Sequence, residues 1–192
     1  MSQEDRQKWD ARYRQQPNPE SGPAEVLTAN ADLIPRAGNA LDVAGGSGRN
    51  ALWLARRGLN ASLVDISAEG LAIARQRAEK EQLDLQFVVA DLEHESLPAG
   101  PWRLVVQTCF LQRELFPSLI QALEPAGMLV VAQPTRRNRE RWTAPPEKYL
   151  LDEGELIQLA GPLEIVHFDE AWRENGRYEA WLIARRRGEF SA

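Results

Sequence analysis

"LDVAGGSGRN", residues 41–50, sets three glycines and a serine between a short apolar run and a polar stretch suited to open a helix. Over Gly46, Gly48 and Ala51 it reads G-x-G-x-x-A, the spacing of a strand–turn–helix loop whose backbone approaches a nucleotide. Glycines of this spacing also occur in a plain tight turn. The loop must therefore be weighed with the chain around it.

Around the loop, apolar runs alternate with helical patterns. Residues 2–15 read as a polar helix with Trp9 and Tyr13 on one face, broken by the prolines of 15–23. A short helix is expected over 24–34. Strands follow at 40–44, 60–66, 85–91, 103–110 and 127–133. Helices are expected at 50–57, 68–81 (capped by Ser67, with Leu71, Ala74 and Ala78 as its apolar stripe) and 113–124. Pro117 has to fall in the first turn of the last of these or kink it. Strands this apolar imply a parallel sheet covered on both faces. The alternation then stops. Asp152 and Glu155 start a helix to about Ala160, and runs at 163–172 and 177–186 flank Asn175-Gly176, which suits a type I′ hairpin turn. The expected architecture is α/β: a seven-stranded mixed sheet with an antiparallel last strand and helices on both faces.

Composition narrows the function. A net charge of −5 argues against extended nucleic-acid binding, which needs a strongly basic face. No apolar run reaches the roughly 18 residues of a membrane span, and residues 1–10 have no apolar core of a secretory signal. The single cysteine, Cys109, fits a reducing cytoplasm and reads as a buried structural residue. His94 and His167 lie far apart, without metal-ligand spacing and with no role expected, so no metal site is foreseen.

Three acids fall at strand ends in step with the glycine loop: Asp42, Asp65 and Asp91. Asp65 stands 19 positions after Gly46, near the ~20 expected of a ribose-binding acid, so it supports a nucleoside without choosing which. Asp42 tilts the choice. A dinucleotide would lay its pyrophosphate against this loop, where a carboxylate repels it. S-adenosylmethionine offers an ammonium and a sulfonium there instead. A nicotinamide-dependent oxidoreductase is further disfavoured because none of Tyr13, Tyr149 and Tyr178 has the lysine four residues on that short-chain dehydrogenases use; Pro17, Glu153 and Leu182 stand there.

The stretch "ALDVAGGSGRNALWLARRGLNASLVDIS" resembles the small class I methyltransferases related to the tellurite-resistance TehB and thiopurine methyltransferase groups. So do "WDARYR" (9–14), "ADL" (90–92), "FLQRELFPSL" (110–119), "LEPAGMLVV" (123–131) and "PEKYLLDEGEL" (146–156). The resemblance implies S-adenosylmethionine as cofactor, S-adenosylhomocysteine as product, and a small-molecule acceptor such as a thiol or a tellurium or selenium oxyanion. It implies that Asp42, Ala44, Gly46 and Gly48 form the methionine-side loop, followed by Arg49 and Asn50. Asp65 would bind the ribose, Ile66 would pack on adenine, Asp91 and Leu92 would hold its far edge, and Thr108 would line the transfer channel. Trp9, Tyr13, Phe110 and Arg113 are expected on the substrate or lid side.

The chain departs from the family pattern at Gly45 (usually cysteine, a change expected to be harmless), at Gln112 (usually histidine) and at Ala132-Gln133. Arg136, Arg137, Arg139 and Arg141 follow the fifth strand and are candidates to steer an anion, against a reading as a solvated loop. The expected organisation is one methyltransferase domain over 1–192: a helical lid (1–35), a cofactor core (36–133), and a substrate-side loop, helix and hairpin (134–192). A monomer or homodimer is expected. The altered acceptor side keeps open a protein that binds the cofactor without turnover.

Overall fold

The protein is described by a computed structural model covering residues 3–16 and 22–188. Most of the proline-rich break after the first helix lies outside the described residues. Seven strands form one sheet in the order β3-β2-β1-β4-β5-β7-β6. These are β1 (Asn39–Val43), β2 (Asn60–Asp65), β3 (Leu85–Val89), β4 (Trp102–Thr108), β5 (Leu123–Pro134), β6 (Glu164–Trp172) and β7 (Tyr178–Arg185). β1 to β5 are parallel, and β7 runs antiparallel between β5 and β6.

The order reverses between β1 and β4, which opens a crevice at their carboxyl ends. Alternation along each strand divides the core in two. Leu63, Leu104, Val106 and Val130 face α2 (Glu25–Ala29), α3 (Arg49–Arg56) and α4 (Ala68–Lys80). Val43, Val64, Val105 and Val131 face α5 (Phe116–Ala122) and α6 (Glu155–Leu159). Ahead of them, α1 (Gln3–Gln15) buries none of its residues.

Several local readings hold. Ser67 caps α4, accepting from the Gly70 N–H at 3.1 Å, and Leu71, Ala74 and Ala78 are buried beneath it. Pro117 falls in the first turn of α5, after a 3-10 turn at Arg113–Leu115. Others are corrected. The helix expected over 24–34 spans only Glu25–Ala29, and turns carry the chain on to Pro35. The Asn175-Gly176 turn is not type I′: Gly176 alone has positive φ, inside a loop closed by Arg173 N–H to Arg177 O (2.8 Å) and Gly176 N–H to Arg173 O (2.9 Å). The Asn175 carboxamide oxygen accepts from the Arg177 N–H at 2.9 Å, so this residue works through its side chain.

Candidate functional site

The glycine loop leaves β1 at the switch point. Ala44 (φ 51°), Gly46 (57°) and Gly48 (79°) all take left-handed backbone there, and Gly48 is the N-cap of α3. A Cβ on Gly48 would come 2.8 Å from the Ala74 Cβ, so this glycine sets how closely α3 and α4 approach. Gly45 has no spare room either: a Cβ there would lie 2.3 Å from Leu63 Cδ1 and 2.4 Å from Asp42 Oδ2. Glycine is therefore accommodated at this position, with the ends of the Leu63 and Asp42 side chains packed into the space a Cβ would take.

Asp42 and Asp65 are both buried. Asp42 accepts from the Ala51 N–H (3.0 Å) and from the Asn50 amide (3.4 Å), which ties the end of β1 to the start of α3. Burial pushes its carboxyl up to about 7, against the pull of those two donors and of the Arg49 charge. Asp65 accepts from the Gly46 N–H and the Ser67 N–H, each at 2.8 Å, and burial raises its carboxyl too. Asn50 is the hub between elements. It donates to Thr108 Oγ1 at 3.0 Å and accepts from the Ala24 N–H at 2.9 Å, joining α3 to β4 and to the chain before α2. Arg49 is half-buried, and its guanidinium makes no hydrogen bond among the described residues.

The third acid, Asp91, is half-buried after β3 and accepts from the Glu93 N–H at 3.1 Å. Ile66 and Leu92 are both 3% exposed, so the two apolar residues expected against adenine are packed inside the protein. The structure thus brings Asp42, Ala44, Gly46, Gly48, Arg49, Asn50, Asp65 and Thr108 to one crevice, with Asp91 at the neighbouring strand end.

Tyr13 lies over this crevice. Its hydroxyl would stand 1.9 Å from a Cβ on Gly46, and its ring stacks on Trp9 with centroids 6.2 Å apart. Burial and then the Asp65 charge push the Tyr13 phenol up to about 12. Gly70, which the sequence pattern left unremarked inside a helix, receives the same ring. A Cβ there would lie 2.9 Å from Tyr13 Cε2.

The loops after β3, β4 and β5 border a groove of about 490 Å³, lined among others by Glu93, His94, Leu111, Gln112, Lys148 and Tyr149. His94, expected to have no role, thus sits on its wall. Arg113 does not offer a free charge here. It forms a two-pronged pair with Glu155 and donates to the carbonyls of Lys148 and Leu150, fastening the post-β4 loop to the segment before α6. Phe110 is half-buried, and its carbonyl accepts from the Gln107 amide at 2.8 Å.

The arginines after β5 are engaged as well. Arg136 pairs with Glu147 and Asp152, and Arg137 pairs with Glu140. Arg139 donates to the Thr143 carbonyl, and Arg141 lies 3.7 Å above the Trp172 ring. All four thus have contacts that brace the loop, and two of them, Arg136 and Arg137, are paired with acids. Cys109, expected to be buried, is exposed, with φ 56° at the end of β4 and Arg177 Nη1 3.5 Å from its sulfur. No metal-holding cluster of His, Cys, Asp and Glu occurs among the described residues. No helix among them is long and apolar enough to cross a membrane.

Residues 40–127 match the family described as a methyltransferase domain. The matched stretch runs from β1 into β5 and includes the glycine loop, Asp42, Asp65 and Asp91. Among solved structures, TehB from Haemophilus influenzae superimposes with a TM-score of 0.70 at 22% identity, covering 93% of this chain and 67% of that one. A structure from work on conversion of a disulfide bond into a thioacetal group during echinomycin biosynthesis has a TM-score of 0.70 at 21% identity, covering 97% and 93%. Magnesium protoporphyrin IX methyltransferase from Synechocystis, with bound S-adenosylhomocysteine, has a TM-score of 0.67 at 17% identity, covering 85% and 80%. These likenesses establish the fold. None of the curated proteins matches the sequence.

The crevice suits S-adenosylmethionine, whose demethylated product is bound in the Synechocystis structure. Gly46 presents a bare backbone, while Asp65 spends two of its roughly four lone-pair sites on N–H groups and keeps the others for hydroxyls. The buried carboxylates of Asp42 and Asp65 make a poor seat for a pyrophosphate.

Proposed function

We propose that the protein transfers a methyl group from S-adenosylmethionine to a small soft nucleophile, a thiol before a tellurium or selenium oxyanion, held in the groove beside β4 and β5. Bound in the crevice, the cofactor supplies an activated methyl group. The protein's share is then chiefly alignment and exclusion of water. Asp65 takes the ribose hydroxyls, the Ala44–Gly48 loop and Arg49 take the methionine end, Asp91 takes the adenine edge, and Thr108 borders the transfer channel. Asp42 ties β1 to the start of α3 through both oxygens and sets its buried carboxyl beside the methionine end. Residues 1–35 serve as the lid, 36–133 as the cofactor core and 134–192 as the acceptor side of one domain. It works as a monomer or homodimer in the cytoplasm.

The observation that carries the acceptor class is the polarity of that side. Arg113, Arg136 and Arg137 are paired with acids, and Arg139 and Arg141 are turned onto a carbonyl and a ring of the protein. The carboxamide oxygens of Gln107, Gln112 and Gln133 are buried without a donor among the described residues. Of these, Gln112 lines the groove beside a single cation other than Arg113, Lys148, a setting that favours a molecule donating hydrogen bonds over an oxyanion, which is best held by several cations. The neighbour associated with converting a disulfide into a thioacetal supports a sulfur acceptor. Screening small thiols, amines, tellurite and selenite for S-adenosylhomocysteine release tests this. Turnover with a thiol is expected. Turnover with the oxyanions alone would contradict it.

A further inference from the structure

Gly70 has ordinary helical backbone, yet it occupies the first turn of a 13-residue helix, where alanine would be the more stable choice. Its reason must be space. The neighbour that fills the space is Tyr13, with two ring atoms within 3.1 Å of where a Cβ would stand; the Gly46 carbonyl carbon follows at 3.2 Å.

Three hydrogen bonds also join the same turn to the same face of α1. Ser67 Oγ donates to Asp10 Oδ1 at 2.6 Å, and the Glu69 N–H reaches that oxygen at 3.3 Å. Arg14 Nε donates to Glu69 Oε1 at 2.9 Å. Asp10, Tyr13 and Arg14 stand at i, i+3 and i+4, one stripe of the helix. What holds α1 down is chiefly polar or shape-based, because α1 has no fully buried residue and its Trp9 and Tyr13 are only half-buried. Such a seat holds a helix in one place without making it part of the core.

We propose that Asp10, Tyr13 and Arg14 latch α1 onto a receptacle formed by Ser67, Glu69 and Gly70, and that this latch governs exchange of the cofactor. The inference rests on assigning the Gly46–Asp65 crevice to S-adenosylmethionine, since Tyr13 carries the latch directly over Gly46. Asp10 and Gly70 are then positioning residues. Asp10 anchors the helix through Ser67, and Gly70 leaves room for the ring that covers the crevice.

The test measures S-adenosylhomocysteine dissociation by stopped flow and tryptic cleavage within α1 of the ligand-free protein. The proteins are wild type, D10A, Y13A, G70A and the Y13A/G70A double variant. D10A and Y13A alter only α1, so the core stays folded. Each single variant is expected to release the product at least ~10-fold faster and to be cut faster in α1, with no drop in melting temperature. The double variant is expected to match the faster single, because both remove one contact. Multiplying effects of Y13A and G70A would overturn the latch, placing the Gly70 effect on the Gly46 loop instead. So would D10A with wild-type release and cleavage. If wild type does not bind S-adenosylhomocysteine, the cofactor assignment fails, while the cleavage rates still decide whether α1 is latched.

Discussion

The cofactor crevice and the acceptor groove open at the same edge of one sheet, yet they are built in opposite ways. At the crevice, Asp42 and Asp65 point their charges into a buried space and hold the glycine loop in shape with spare capacity to bind. At the groove, the charges of Arg113 and Arg136 are matched by acids from the segment before α6. What remains on its wall is the buried Gln112 carbonyl, without a donor among the described residues, and a single cation, Lys148, lying over the Tyr149 ring. In the proposed reading, one region keeps its carboxyls for a cationic nucleoside, and the other uses most of its charges to hold itself together. An arginine count alone would have assigned the groove to an anion.

The sharpest way to break this contrast is at Gly45. Gly45→Cys drives a side chain into Leu63 and Asp42. A loss of about 2–3 kcal/mol in urea unfolding is expected, together with loss of cofactor binding. Stability equal to wild type would mean the loop is looser than its contacts imply. Next, Asp65→Ala removes the acceptor for Gly46 and Ser67 along with the proposed ribose ligand. Calorimetry is expected to show S-adenosylhomocysteine affinity reduced by about 100-fold, on the order of 2.7 kcal/mol.

The buried charge itself can be titrated. The folded value for Asp42, about 7, lies above its unfolded 3.8. Its contribution to stability is therefore fully present below the unfolded value and is lost as pH rises through about 7. Asp65, raised for the same reason, acts in the same sense. Urea unfolding from pH 5 to 8 is expected to show this fall, with a smaller fall in Asp42→Asn. Identical profiles would place the titration elsewhere.

On the acceptor side the effects are smaller. A double-mutant cycle on Arg113 and Glu155 is expected to give a coupling of about 0.5–1 kcal/mol, because the pair is partly exposed. Replacing both Arg139 and Arg141 by alanine is expected to change the acceptor KM by less than about twofold, as befits residues that brace a loop. A large rise in KM would restore the anion reading.

The same contrast explains what was legible in the sequence. Asp42, the glycines and Asp65 lie within 24 positions, each at the end of an apolar run, so spacing alone aligned them with the carboxyl edge. The mixed sheet with its antiparallel last strand followed from alternation and from the terminal pair of strands. Pairings across long separations were hidden: Arg113 with Glu155, Asp10 with Ser67, and Arg177 beside Cys109. No local pattern encodes which acid an arginine meets 42 residues later. The hairpin turn was misread because Asn-Gly permits two left-handed residues without requiring them, and the longer loop needs only Gly176. Gly70 carried a signal that spacing could have exposed. A glycine in the first turn of a well-capped helix calls for a neighbour, and that neighbour lies 57 residues earlier, at Tyr13.

The central claim is that the Gly46–Asp65 crevice holds a sulfonium nucleoside and not a dinucleotide. Isothermal titration of the full chain with S-adenosylmethionine, S-adenosylhomocysteine, NAD and NADP at neutral pH tests it most directly. The account predicts one-to-one binding of the first two and no heat from the others. Binding of NAD or NADP, with none of S-adenosylhomocysteine, would contradict it.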